Sequence, residues 1–285
     1  MMQYYKIGGF LLAIEGEQLC AHLASMQSFE TFRIISTEGE EPVCEFVETS
    51  DDAPDFEQEI YQLKDLDTVF RFGLIDGGYR MSEVQDDGQR LDLWGRKGEK
   101  RMYLSGNWEP RMLRSILWTG YGIQTVPMGA IPVHSSCIVK SDEAVMCLGE
   151  SGTGKSTHTR LWRQYIAGSH LLNDDSPILR VEEGQVWVYG SPWSGKTPCY
   201  RTERFPLRAC IRLSQAPQNR IRRLNVLQAY AALHPSCPPA FAYESTLYDA
   251  MSRTLSDVLE RVLCYHLECL PDEEAAQLSY HTIFD

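Results

Sequence analysis

The chain has 285 residues, 43% of them hydrophobic and 23% charged, enough to bury a substantial core and a soft prior for two domains. Its formal charge of −12 argues against a nucleic-acid partner, because such proteins carry a basic face. The apolar run 8–14 is too short to span a bilayer, is followed by Glu15 and Glu17, and lacks a basic leader and a cleavage site. Neither membrane insertion nor a signal peptide is expected. Nine cysteines scattered singly, with no C-x-x-C pair, read as reduced thiols of a cytoplasmic protein and exclude zinc-type spacing.

Taken in order, the first third reads as strands. Residues 4–7 and 10–14 flank Gly8-Gly9 as a hairpin, and 32–35, 68–72 and 101–104 are further strand runs. Gly77-Gly78, Asp87-Gly88 and Gly95 mark turns. The expectation is a β-rich antiparallel domain over 1–110. Between Glu38 and Asp67 lie twelve acids against Lys64 alone, which accounts for nearly all of the net charge. That stretch reads as a solvated acidic face, with a docking surface for a basic partner as the alternative.

An amphipathic helix is expected over 109–124, with Met112, Leu113, Ile116, Leu117 and Tyr121 on one side and Gly120 and Gly122 ending it. The second domain is placed at 111–285, giving an α/β core within an α+β whole. Residues 131–139 read as a strand containing His134; an isolated strand histidine is usually structural.

Residues 144–148 form another strand run, followed by Gly149-Glu150-Ser151-Gly152-Thr153-Gly154-Lys155-Ser156-Thr157. Positions 149–156 satisfy G-x-x-x-x-G-K-[ST], the phosphate-cradling pattern. Glycines let successive N–H groups point at one anion, and the helix that follows adds its positive end. Lys155 would reach the β- and γ-phosphates of a nucleotide, and Ser156 would ligate magnesium. Residues 190–197 match the same pattern, but Pro192 removes a donor, Trp193 crowds the loop and no helix follows.

After the first loop comes one helix to about Gly168, then Leu171-Leu172-Asn173-Asp174-Asp175, a strand run ending in paired acids. That is where a phosphate-loop protein holds its metal and its base. Neighbouring strand residues face opposite ways, so one acid would serve the metal and the other the nucleophile. A hairpin over 179–189, a strand at 207–213, a helix capped by Asn225, a helix over 246–263, a strand at 265–270 and a terminal helix from Pro271 complete the chain.

His134, the loop 149–157 and Asn173-Asp174-Asp175, in that order, resemble the HPr kinase/phosphorylase-like proteins, which share a core fold with ATP-type phosphoenolpyruvate carboxykinases. The segment 190–196, Tyr265-His266-Leu267-Glu268-Cys269 and Pro271-Asp272-Glu273-Glu274 also resemble the related subgroup. The resemblance runs from about Val133 to the end of the chain. It implies ATP and magnesium as cofactors, with Lys155 on the transferring phosphoryl group. Ser156 and the aspartates would serve the metal, one aspartate would act as base, His134 would sit beside the phosphates, and Lys196 would join the nucleotide site. It implies a serine-containing acceptor: protein, peptide or free serine. Homo-oligomerisation stays open. The chain departs from the pattern at Val188, where HPr kinases carry a metal-binding glutamate. The resemblance therefore carries neither a second metal nor the reverse, phosphorylase reaction to this chain. A non-catalytic nucleotide-binding module and a carboxykinase-like lyase are the alternatives; the lyase needs an Arg/Lys cluster for two carboxylates that cannot be assigned here.

Overall fold

Apolar runs separated by tight glycine turns fold back on themselves, and this builds the first part of the computed structural model. It describes every residue except Lys196. The chain divides into two units, 1–128 with 240–249, and 129–239 with 250–285.

The first unit holds strands Met2–Ile7 (β1), Phe10–Glu15 (β2), Arg33–Ile34 (β3), Cys44–Glu48 (β4), Gln58–Asp65 (β5), Thr68–Ile75 (β6), Gly78–Gln85 (β7), Arg90–Arg96 (β8) and Arg101–Gly106 (β9). They form one sheet in the order β3-β1-β2-β4-β9-β8-β7-β6-β5. The sheet is not purely antiparallel as expected, because β4 enters parallel to both β2 and β9. Helices Glu17–Ser25 (α1) and Gln27–Glu30 (α2) follow β2, and α1 is the crossover that a parallel β2–β4 pair requires.

Gly95 lies inside β8 rather than in a turn; a Cβ there would meet the Arg101 carbonyl oxygen at 2.8 Å. Helix Pro110–Thr125 (α3) is capped by the Glu109 carboxylate, which accepts from the Met112 N–H at 2.9 Å. Gly120 and Gly122 do not end it. A Cβ at Gly120 would meet Leu93 Cδ2 at 2.5 Å and Phe46 Cε1 at 2.8 Å, so that glycine lets helix and sheet close up. This helix, which the sequence leaves open to either side of the boundary, falls in the first unit. The acidic stretch falls mainly on β4, the following loop and β5, an exposed strand at the sheet edge. Charges on an edge strand discourage pairing with another chain.

The second unit contains Ala130–Pro132 (β10), Ser135–Lys140 (β11), Glu143–Leu148 (β12), Lys155–Tyr165 (α4), His170–Asp175 (β13), Ile178–Glu182 (β14), Gln185–Tyr189 (β15), Arg204–Gln215 (β16), Arg220–Arg223 (β17), Val226–Leu233 (α5), the main part of Ser245–Leu259 (α6), Leu263–Cys269 (β18) and Glu273–Phe284 (α7). Strand order is β10-β14-β15-β16-β12-β11-β13, with β18 on β16 and β17 on β18. The pairs β12–β16 and β16–β18 are parallel and the rest antiparallel. The fold is mixed α/β with two large mixed sheets.

Helices α4 and α7 cover one sheet face. Trp162 is fully buried among Val145, Cys147, Ile211, Leu213, Leu267, Ala276 and Ile283. Its indole N–H donates to Ser279 Oγ at 2.9 Å, which also lies 3.0 Å from His158 Nε2. Burial holds the His158 pKa down at about 4, so the ring stays neutral and fits an apolar seam.

Candidate functional site

The glycine loop leaves β12 and enters α4 directly, in the strand–loop–helix order its pattern requires. Gly152 and Gly154 have φ of 82° and 105°, in the region where a side chain is strained. Gly149 is needed for space, since a Cβ there would lie 2.4 Å from Thr153 Oγ1. Lys155 opens the helix and is 8% exposed; its ammonium donates to the carbonyls of Gly149 at 2.7 Å and Glu150 at 3.1 Å. Burial and then the Arg212 charge lower its pKa, against the pull of Asp175 and Asp174. Ser156 is exposed at the same helix end.

The paired acids end β13, which pairs antiparallel with β11, placing Ser135 opposite Asp175 and Ser136 opposite Asp174. Asp174 is 3% exposed, and its Oδ2 has no hydrogen-bond partner among the described residues. Asp175 exposes 44% of its side chain, with its Oδ1 3.6 Å from His134 Nε2. The chain breaks from β10 to β11 at Val133-His134, so His134 lies between two strands and not within one as expected. Its N–H donates to the Ser236 carbonyl at 2.7 Å. Burial and the Lys155 charge lower the His134 pKa, while Asp175 raises it, leaving the neutral ring favoured at pH 7.

His134, Lys155, Asp174 and Asp175 thus share one neighbourhood; Lys196, expected in the nucleotide site, lies outside the described residues.

The second glycine segment acts on the acids rather than forming a strand–loop–helix unit. Asp175 bridges Ser194, and the Gly195 N–H donates to the Asp174 carbonyl at 2.6 Å. Ser191 Oγ donates to the Ser176 carbonyl at 2.6 Å, and Asn173 Nδ2 reaches the Ser191 carbonyl at 3.2 Å. Asn173 Oδ1 in turn accepts from the Ser176 N–H at 2.9 Å. These bonds fasten 191–195 to the end of β13.

Sequence reasoning missed Arg212, whose guanidinium donates to Glu150 Oε1 at 3.3 Å and adds a second cation beside Lys155. Only the strand register could have found it. A cavity of about 580 Å³ opens beside the loop, lined by Gly152, Gly154, Thr157, Leu161, Leu213 and Leu270 among others.

No group of three or more His, Cys, Asp or Glu side chains able to hold a metal ion occurs among the described residues. Nor is any of their helices long and apolar enough to cross a membrane. No family model matches the chain, and no curated protein matches it. Among solved structures 35 chains match. One is the HPr(Ser) kinase/phosphatase of Coxiella burnetii, 13% identical over 52% of this chain and 90% of that one, with a TM-score of 0.29; the structural relationship is distant.

Proposed function

We propose that the protein is a kinase that moves the γ-phosphoryl group of ATP, with magnesium, to a serine hydroxyl, and that this chemistry resides in the second unit. One observation carries the reading: the Lys155 loop faces two carboxylates in different environments, one buried with an unsatisfied oxygen and one exposed beside a neutral histidine.

Lys155 would leave its carbonyl partners to neutralise charge on the β- and γ-phosphates, and the N–H groups at the start of α4 would hold the same oxygens. Asp174 Oδ2 and Ser156 would hold magnesium, an oxygen-seeking ion that takes one or two carboxylates and completes its shell with phosphate and water. Magnesium would supply charge neutralisation between the phosphates. Asp175 would take the proton as the serine oxygen forms its bond to phosphorus and the bond to ADP breaks. His134 would orient that carboxylate. The cavity beside the loop would take the base.

Lys155→Ala tests the reading. Nucleotide affinity and phosphoryl transfer should both fall at least about tenfold, since one charge-assisted contact is worth about 1.5–3 kcal/mol. Equal affinity and turnover in the variant would remove the cradle from the account. Binding without transfer to any hydroxyl would leave a nucleotide-binding module, a reading that Val188, fully buried on β15, favours over a two-metal enzyme.

A further inference from the structure

Cross-strand register places one row of side chains across the site. Asp175 faces Ser135 on β11, and Ser136 faces Cys147 on β12, which brings Leu148 level with Ser135. Leu148 faces Arg212, Arg212 faces His266, and His266 faces Arg222. Side chains alternate along strands, and Ile211, Leu213, Tyr265 and Leu267 belong to the core under α4 and α7. Arg212 and His266 therefore face the other way, on the Asp175 side of the sheet. Leu213 lines the cavity beside the loop, so the cavity and this row occupy opposite faces.

Arg212 meets Glu150, His266 Nε2 lies 2.9 Å from Ser214 Oγ, and Arg222 donates to the neutral Gln228 amide at 3.2 Å. Besides Asp175 itself, Glu150 pairs with Arg212, and Glu268, which faces Arg220, lies two residues from His266. Three of the four residues of β17 are arginine. In the second unit basic and acidic side chains balance at fifteen each, and the whole excess of acid lies in the first.

We propose that Arg212, His266 and Arg222 bind an acidic segment of a peptide or protein acceptor. The proposal rests on the phosphotransferase reading for where the acceptor hydroxyl sits. At about 4.8 Å per strand, Arg212 lies three strands, about 14 Å, from Asp175, and Arg222 about 24 Å. Ser135 and Leu148, between Asp175 and Arg212, are fully buried, so a peptide passes over what covers them. Rising about 3.4 Å per residue, it places its acidic side chains no fewer than about four to seven residues from the hydroxyl. A free serine, whose hydroxyl and carboxylate belong to one residue, cannot reach the row.

The test uses the full chain and two fluorescent peptides, each with one serine and either glutamates or lysines four to seven residues away. Anisotropy at low salt reads binding without turnover. The glutamate peptide should bind about tenfold tighter than the lysine peptide despite the chain's negative charge, and Arg222→Glu should cut that preference about fivefold to tenfold. Binding should also raise the His266 ring pKa, read by NMR. A remote reversal, Lys64→Glu, should change neither. Equal binding of both peptides, or a preference untouched by Arg222→Glu, overturns the proposal. Efficient phosphorylation of free serine, indifferent to Arg222→Glu, overturns it too while leaving the kinase reading intact. Absence of magnesium-ATP binding with the glutamate preference intact would sink the kinase reading, and with it the acceptor role, while leaving the acidic-peptide surface in place.

Discussion

Gly195→Ala puts the contact between the second glycine segment and the acid pair to a quantitative test. The φ of Gly195 lies outside the left-handed region, so space and not backbone strain demands glycine. A methyl group there would sit 2.9 Å from the Asp174 carbonyl oxygen and 3.3 and 3.5 Å from Cβ and Cγ of Asp175. Two of these neighbours are backbone or backbone-adjacent and cannot swing away. Overpacking of this kind costs about 1–3 kcal/mol, and losing the Gly195–Asp174 hydrogen bond about 0.5–1.5 kcal/mol more. Relief comes by parting the two segments, which displaces Asp174 and Asp175 together. A displacement near 1 Å costs about 100-fold in rate. The expected outcome is turnover down about 10- to 100-fold, a lower urea midpoint, and unchanged affinity for nucleotide without magnesium, because the cradle is untouched. Gly152→Ala is the contrast: a Cβ there meets nothing within 4 Å, so its φ of 82° alone is strained and nucleotide affinity should fall instead. Wild-type turnover and midpoint in Gly195→Ala would refute the fastening of the acids by this loop.

The two aspartates should part company on substitution. Asp175→Asn should lower turnover by about 10²–10⁴ with nucleotide affinity retained, whereas Asp174→Asn should lower rate and magnesium-dependent affinity together; titrations with and without magnesium decide it. Leu270→Trp, which fills the cavity beside the loop, should weaken ATP binding while leaving inorganic triphosphate binding intact, as calorimetry would show. Glu83 is 3% exposed, and burial raises its carboxyl pKa from 4.5 to about 7 against the opposing Ser115 bond and Arg111 charge. The folded chain holds this proton more tightly. The resulting stability is full below pH 4.5 and is lost as pH rises through about 7, an amount of about 3 kcal/mol. Glu83→Gln should therefore have a higher urea midpoint than wild type at pH 8 and an equal one near pH 4.5; a constant difference across that range would refute the buried-acid account.

What could be read without coordinates was local. The strand, glycine loop and helix around Lys155 are contiguous in the chain, and the cap at Asn225 reaches only to Gln228, three positions on. The acids at the end of β13 were legible for the same reason. Strand β4 was not, because Cys44-Glu45-Phe46-Val47-Glu48 sits in an acidic stretch whose charges mask its alternation, and its neighbours β2 and β9 are distant in sequence. Gly95 and Gly120 were misjudged as breakers because their reason is a neighbour that only the tertiary fold supplies. His134 was placed inside a strand, whereas its N–H bonds a carbonyl about a hundred residues later. Arg212 carries no motif at all; its position follows from parallel pairing with a strand some sixty residues earlier.

The seam between α4 and α7 has a consequence for synthesis. The helix that begins with Lys155 buries Trp162 against Ser279 and Ile283, residues that are made more than a hundred positions later. Strand β16, beside β12, likewise awaits β18 as its other parallel neighbour. A ribosome-bound chain that already contains the whole glycine loop still lacks the surfaces that seat its helix. Such an intermediate exposes an indole and the apolar edge of a sheet, which makes it a substrate for chaperones before it can be a receptor for any anion. Folding of the second unit thus waits on the segment Glu273–Phe284, which supplies the surface that covers Trp162.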